Sequence, residues 1–280
     1  MPAPTPADAR LDKRIARRFA ALEGDGRPGL IPYLTVGYPS VAESLELAVE
    51  LSRVGADVIE LGVPFSDPMA DGPTIQRSSQ AALDAGTTLD DVFDVVARLR
   101  SVSDVPIVLF SYLNPILSRG VDHFLSAAVE AGADGLLATD LPLGSDPHLE
   151  EVLEGSVLDL IRLVAPTSPG PRIGEIAARA QGFLYYIART GVTGVSQELR
   201  SGLAEEVQVV RDASPVPVAV GFGISTPEQA ATVGAIADAA VVGSALVDRL
   251  GTGGVEAAVE LAKALRAALD GCRRGGVGIS

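Results

Sequence analysis

Short apolar runs alternate with longer amphipathic stretches along almost the whole chain. Eight runs read as strands: residues 30–35, 57–62, 106–110, 134–138, 158–163, 183–188, 217–221 and 239–242. They are apolar at consecutive positions rather than at every second one, the pattern of parallel strands covered on both faces. Between them the spacing changes to the helical period. In VAESLELAVELSRVGAD, for example, Val41, Leu45, Leu47, Ala48 and Leu51 form one apolar stripe. Gly55-Ala56 and Gly132-Ala133 end such stripes just before a strand, where glycine stops a helix at little steric cost. Ahead of the first strand, Leu11, Ile15, Phe19 and Leu22 recur at helical spacing within the basic segment RLDKRIARRFAAL. They predict a helix that caps the body rather than a transit peptide.

Eight strand–helix units in 280 residues predict a single (β/α)8 TIM barrel with an extra N-terminal helix, with a doubly wound α/β sheet as the alternative. No linker or low-complexity block divides the chain, so residues 1–280 are expected to form one domain, with flexible ends at 1–8 and 271–280. Apolar residues make up 47% of the chain and aromatic ones 4%, so the core is expected to be aliphatic. A net charge of −14 removes nucleic acid and anionic membranes as general partners, because both need a basic surface. An anionic ligand would have to be held locally. The lone cysteine, Cys272, cannot form an internal disulfide and fits a reducing, cytoplasmic location. No apolar run is long enough to span a membrane.

The chemistry concentrates in VIELGVPFSDPMADGPTIQ, residues 58–76, which contains Glu60, Asp67 and Asp71 and no compensating lysine, arginine or histidine until Arg77. In a barrel, active sites gather at the C-terminal strand ends. Glu60 stands at the end of the second candidate strand, where desolvation would raise its pKa and let it give and take a proton near neutrality. Asp71, in the Gly/Pro-rich loop that follows, is either a second acid over the same mouth or the cap of a helix starting near Pro73-Thr74. Asp67, beside Pro68, reads as a turn former.

Glycines after the seventh and eighth strands, in AVGFGIS and VVGSA, would let backbone N–H groups approach a phosphate. RTGVTGVSQ, after the sixth strand, has the composition of a closing lid or of an ordinary surface loop. Lys13 and Lys263 are the only lysines, and both fall in predicted outer helices, which argues against a Schiff-base mechanism. His123 and His148 lack metal-chelating spacing with Cys272 and read as surface residues. Carboxylate acid/base chemistry on a phosphorylated substrate is the expectation that survives.

Taken together, LIPYLTVGYPS, ELGVPFSDPMADGPTIQ, YYIARTGVTG and GFGIS, in that order, resemble the tryptophan synthase α subunit family over nearly the whole chain. The resemblance implies a carbon–carbon lyase that splits indole-3-glycerol phosphate into indole and glyceraldehyde 3-phosphate by retro-aldol cleavage. It implies that Glu60 moves protons at indole C3 and the glycerol hydroxyl, and that Asp71 holds the indole N–H. Tyr33, Tyr112, Tyr185, Thr193 and Phe222 would meet the substrate, with Thr193 on the lid. Gly194, Gly223, Gly243 and Ser244 would bind its phosphate. Tyr33 stands where members often carry phenylalanine, and Ala188 where serine is common. The resemblance also implies a β-subunit partner in an α2β2 heterotetramer, which supplies the pyridoxal phosphate, with no cofactor or metal in this chain. Contacts to it would come from residues 64–73, the GVTG segment and residues 112–115. A stand-alone lyase releasing free indole, and a chiefly regulatory subunit, are the alternatives.

Overall fold

The structure is a computed structural model and describes residues 13–188, 202–221 and 223–272. The apolar runs form strands β1 (Gly29–Thr35), β2 (Ile59–Gly62), β3 (Ile107–Ser111), β4 (Gly135–Ala138), β5 (Asp159–Leu160), β6 (Arg162–Val164), β7 (Leu184–Ile187), β8 (Val218–Gly221) and β9 (Ala239–Val242). All ladders are parallel, in the order β5-β4-β3-β2-β1-β9-β8-β7-β6. The order begins and ends on neighbouring pieces of one run, so the sheet curls into a nearly closed barrel and the doubly wound alternative is excluded. The run 158–163 therefore differs from the single strand expected. Its first part pairs with β4 and its second with β7. The Ile161 N–H makes a last bond to the Leu136 carbonyl at 2.8 Å, after which the strand edge turns to β7.

Among the described residues the helices are α1 (Arg14–Asp25), α2 (Val41–Val54), α3 (Pro73–Asp84), α4 (Leu89–Arg100), α5 (Leu113–Arg119), α6 (Val121–Ala131), α7 (Pro147–Glu154), α8 (Gly170–Ala178), α9 (Leu203–Ala213), α10 (Pro227–Ile236) and α11 (Ser244–Asp270). Gly55 and Gly132 end α2 and α6 in the left-handed conformation, φ 98° and 99°, as their position before strands predicts.

Inward-facing residues of the barrel wall, among them Ile31, Val58, Val108, Leu137, Phe183 and Val241, meet Ile15, Phe19 and Leu22 of α1. The amphipathic N-terminal helix is thus the plug of the barrel floor; Leu11 of its predicted stripe lies outside the described residues. Its basic face has a use as well. Lys13 pairs with Asp159 at 2.8 Å, Arg14 with Asp134 at 3.1 Å, and Arg18 with Asp57. Each of these acids stands at or just before a strand. Asp57, fully buried, also pairs with Arg266 at 2.8 Å and accepts the Leu30 N–H at 2.7 Å. Asp134 and Asp238 likewise accept the N–H of Ile107 and Val218. The floor is a belt of paired charges, which leaves the opposite end free for chemistry.

Candidate active site

At the C-terminal end of the barrel, Glu60 occupies the middle strand of β1-β2-β3. Its register partners are Tyr33 on β1 and Val108 on β3, so these side chains share the inner face. The ring of Phe110, one step further up β3, meets Tyr33 edge-on at 5.2 Å. Glu60 is fully buried, and among the described residues neither carboxylate oxygen has a hydrogen-bond partner. A buried carboxylate without a donor is costly, so the neutral form wins and burial raises the pKa to about 8.

Asp71 does not cap the helix that follows it. Gly72 is the N-cap of α3, with Pro73 in the first turn. The Asp71 carboxylate instead accepts a hydrogen bond from the Tyr112 hydroxyl at 3.0 Å, and that hydroxyl oxygen accepts the Ala70 N–H at 3.0 Å. Burial raises the Asp71 pKa to about 6, against the opposing effect of the Tyr112 bond. The Tyr112 ring packs on Phe65 at 5.1 Å. Asp67 is exposed, and its carbonyl accepts the Met69 N–H in a turn, as its place beside proline predicts.

Tyr33 on β1 and Tyr185 on β7 both stand on the inner face of the barrel, and each owes its place to a glycine on the next strand. A Cβ on Gly62 would lie 2.1 Å from the Tyr33 hydroxyl, and one on Gly221 would lie 2.1 Å from that of Tyr185. In both pairs the glycine stands two residues beyond the tyrosine's register partner, Glu60 or Ala219. Both phenols are pushed well above the ordinary tyrosine range, chiefly by burial, and both feel the charges of Glu60 and Asp71. Two acids and two phenols therefore share one electrostatic environment.

Beyond β9, Gly243 is the N-cap of α11 and Ser244 its first residue, with no side-chain cap and no acid in the first turn. Those N–H groups are available to an anion. A Cβ on Gly243 would come within 3.3 Å of the Tyr33 ring, so the helix N-terminus adjoins the aromatic wall. Gly223 adopts φ 81°, which a residue with a side chain rarely takes. Thr193, Gly194 and Phe222 lie outside the described residues. His123 and His148 are exposed, and Lys13 and Lys263 pair with Asp159 and Glu260 away from the cavity. No group of three metal-ligating side chains occurs among the described residues.

Sequence reasoning missed Phe110, Phe65, Thr35, Ser78 and Ser79, which pack on or bond to these residues and their neighbours. Phe110 stands at the end of a candidate strand and was findable by the rule that found Glu60. The serines sit inside an amphipathic helix and carry no such signal.

Residues 19–271 match the family model described as tryptophan synthase alpha chain. The tryptophan synthase alpha chain of Synechococcus elongatus is 49% identical over 257 residues, 91% of this chain and 97% of the relative. The structure of tryptophan synthase subunit alpha from Legionella pneumophila superposes with a TM-score of 0.84 at 37% identity, covering 92% of this chain and 99% of that one. A Mycobacterium tuberculosis tryptophan synthase structure gives 0.85 at 37% identity, covering 94% and 99%.

Proposed function

This chain belongs to the tryptophan synthase alpha chain family, lyases that cleave indole-3-glycerol phosphate to indole and glyceraldehyde 3-phosphate, and from that premise we propose how its own residues carry the reaction. Retro-aldol cleavage needs a proton delivered to indole C3 and another removed from the glycerol hydroxyl next to the breaking bond. Glu60, protonated at neutral pH, delivers the first; as the carboxylate so formed, it takes the second. The carbon–carbon bond then breaks, its electron pair returns to the ring, and the hydroxyl carbon becomes the aldehyde. No net proton is gained or lost.

Protonation at C3 places positive charge on the ring nitrogen. Asp71, whose pKa of about 6 leaves it ionised at neutral pH, accepts the N–H and stabilises that charge. Two carboxyls in one cavity with pKa values pushed apart are a means of dividing acid from counter-ion. Tyr33, Tyr112 and Tyr185 are assigned to the wall around the indole, and the resemblance adds Phe222 and Thr193, which lie outside the described residues. Gly194, Gly223, Gly243 and Ser244 hold the phosphate, with the first turn of α11 aimed at it.

The observation that carries this reading is the fully buried Glu60 with both oxygens unpartnered among the described residues. A group so expensive to bury is retained where a substrate completes it. Glu60→Gln should lower indole formation at least about a hundredfold, a general acid–base contribution of roughly 10² to 10⁴ being ordinary. Circular dichroism should be unchanged and phosphate should still bind. Near-normal turnover by that variant would refute the assignment.

The relatives' names also imply a β subunit. We read the chain as a single-domain, cytoplasmic partner in an α2β2 heterotetramer, needing no cofactor of its own, with pyridoxal phosphate on the β subunit. Residues 64–73, including the nine-tenths-exposed Met69, and residues 112–115, of which Tyr112 itself is buried, are the contact surface of this reading, and the GVTG segment assigned with them lies outside the described residues. A stand-alone lyase is disfavoured because the relatives carry alpha-chain names. Indole release should rise at least tenfold when the cognate β subunit is added; equal rates with and without it would favour independent action.

A further inference from the structure

α3 begins two residues after Asp71 and carries two adjacent buried serines, Ser78 and Ser79. A serine within a helix ordinarily turns its hydroxyl to its own backbone or to water. Ser79 does otherwise. Its Oγ accepts the N–H of Phe65 at 2.8 Å and donates to the carbonyl of that same residue at 3.0 Å. This two-way bond ties the start of the loop 63–72 to the helix that follows it.

Ser78 reaches the opposite way. Its hydroxyl donates to the Ile75 carbonyl at 2.9 Å, and its Oγ lies 2.7 Å from Thr35 Oγ1 at the end of β1. A carbonyl can only accept, so Ser78's proton is used there and Thr35 is the donor between the two hydroxyls. The helix is thereby held to β1 and to the loop together.

The contacts close into a ring. Ser79 holds Phe65, the Phe65 ring packs on Tyr112, and the Tyr112 hydroxyl donates to Asp71. Asp71 then leads through Gly72 back into α3. We propose that Ser79, supported by Ser78, is a positioning residue that fixes where the Asp71 carboxylate stands by holding the loop 63–72 closed on α3. The inference rests on the role assigned to Asp71 above.

The test uses the full chain and compares Ser79→Ala, Ser79→Thr, Asp71→Asn and the double variant Ser79→Ala/Asp71→Asn. Alanine is at least as good a helix former as serine, so α3 persists without the hydroxyl. Cleavage of indole-3-glycerol phosphate by Ser79→Ala should show kcat down roughly tenfold with KM changed less, the cost of a slightly misplaced group. Ser79→Thr should recover most of it. The acid limb of kcat/KM, near about 6 in the parent, should move down toward the ordinary carboxylate range as Asp71 becomes solvated. The double variant should be no slower than Asp71→Asn alone.

A lowered melting temperature with kcat and the acid limb unchanged would overturn the proposal, as would losses that multiply in the double variant. Normal turnover by Asp71→Asn would refute the role of Asp71 and this inference with it, whereas multiplied losses refute the inference alone. Should Ser79→Ala not fold, Ser79→Cys, with a weaker donor of similar shape, carries the same comparisons.

Discussion

Glu60 is legible in the sequence because an acid closing an apolar strand is anomalous under any reading except a functional or a paired one. Its surroundings are not. That Tyr33 stands opposite Glu60 follows from strand register, and that Asp71 meets Tyr112 instead of capping α3 follows from Gly72 taking the cap. The burial of Glu60 has a measurable cost. Between its ordinary value and about 8 the unfolded chain carries the charge while the folded one retains the proton. The Glu60 contribution to stability therefore falls as pH rises from about 4.5 to 8, and Asp71 adds a fall of the same sign up to about 6. Glu60→Gln removes the larger part. Urea melts should find that variant close to the parent at pH 4.5 and more stable at pH 8, by up to a few kcal/mol. A gap that does not grow with pH would mean that Glu60 is solvated or paired in solution.

Among the elements, the eight runs were legible from periodicity alone, as were the glycine stops of α2 and α6. Two features were not. The run 158–163 gives no sign that its hydrogen bonding passes from β4 to β7, because each part has one charged residue, Asp159 or Arg162, among apolar ones. Gly62 and Gly221 look like ordinary strand ends, yet each clears the space that a tyrosine hydroxyl fills on the strand before it. Since neither has a positive φ, space and not backbone strain decides what a side chain would do there. Gly221→Ala should destabilise the protein by about 1–3 kcal/mol, the usual cost of overpacking. Gly174→Ala, in α8 with nothing within 4 Å of the added carbon, should be neutral or stabilise by up to about 1 kcal/mol. Paired chemical melts would separate the two, and equal effects would contradict the account.

For the molecule as a whole, the two ends of the barrel divide the labour. The floor pairs Asp57, Asp134 and Asp159 with the basic face of α1, which from sequence alone had no use beyond packing and solvation. At the mouth, no cation among the described residues pairs with Glu60 or Asp71. The change of partner at Ile161 then acquires a meaning of its own. There one continuous stretch of chain clasps the ring, its first part hydrogen-bonded to β4 and its second to β7, while β1 and β9 close the other side with a four-residue ladder. Such a ring should breathe at its clasp. In native-state hydrogen exchange, the Ile161 amide should open with a smaller free energy than those of Leu109 or Val220, which lie deep in continuous ladders. Slow, global-type protection at Ile161 would show instead that the clasp stays shut. Loss of that bond would loosen the ladder to β4 while Glu60 and Tyr33 keep their register on the β1–β2 ladder.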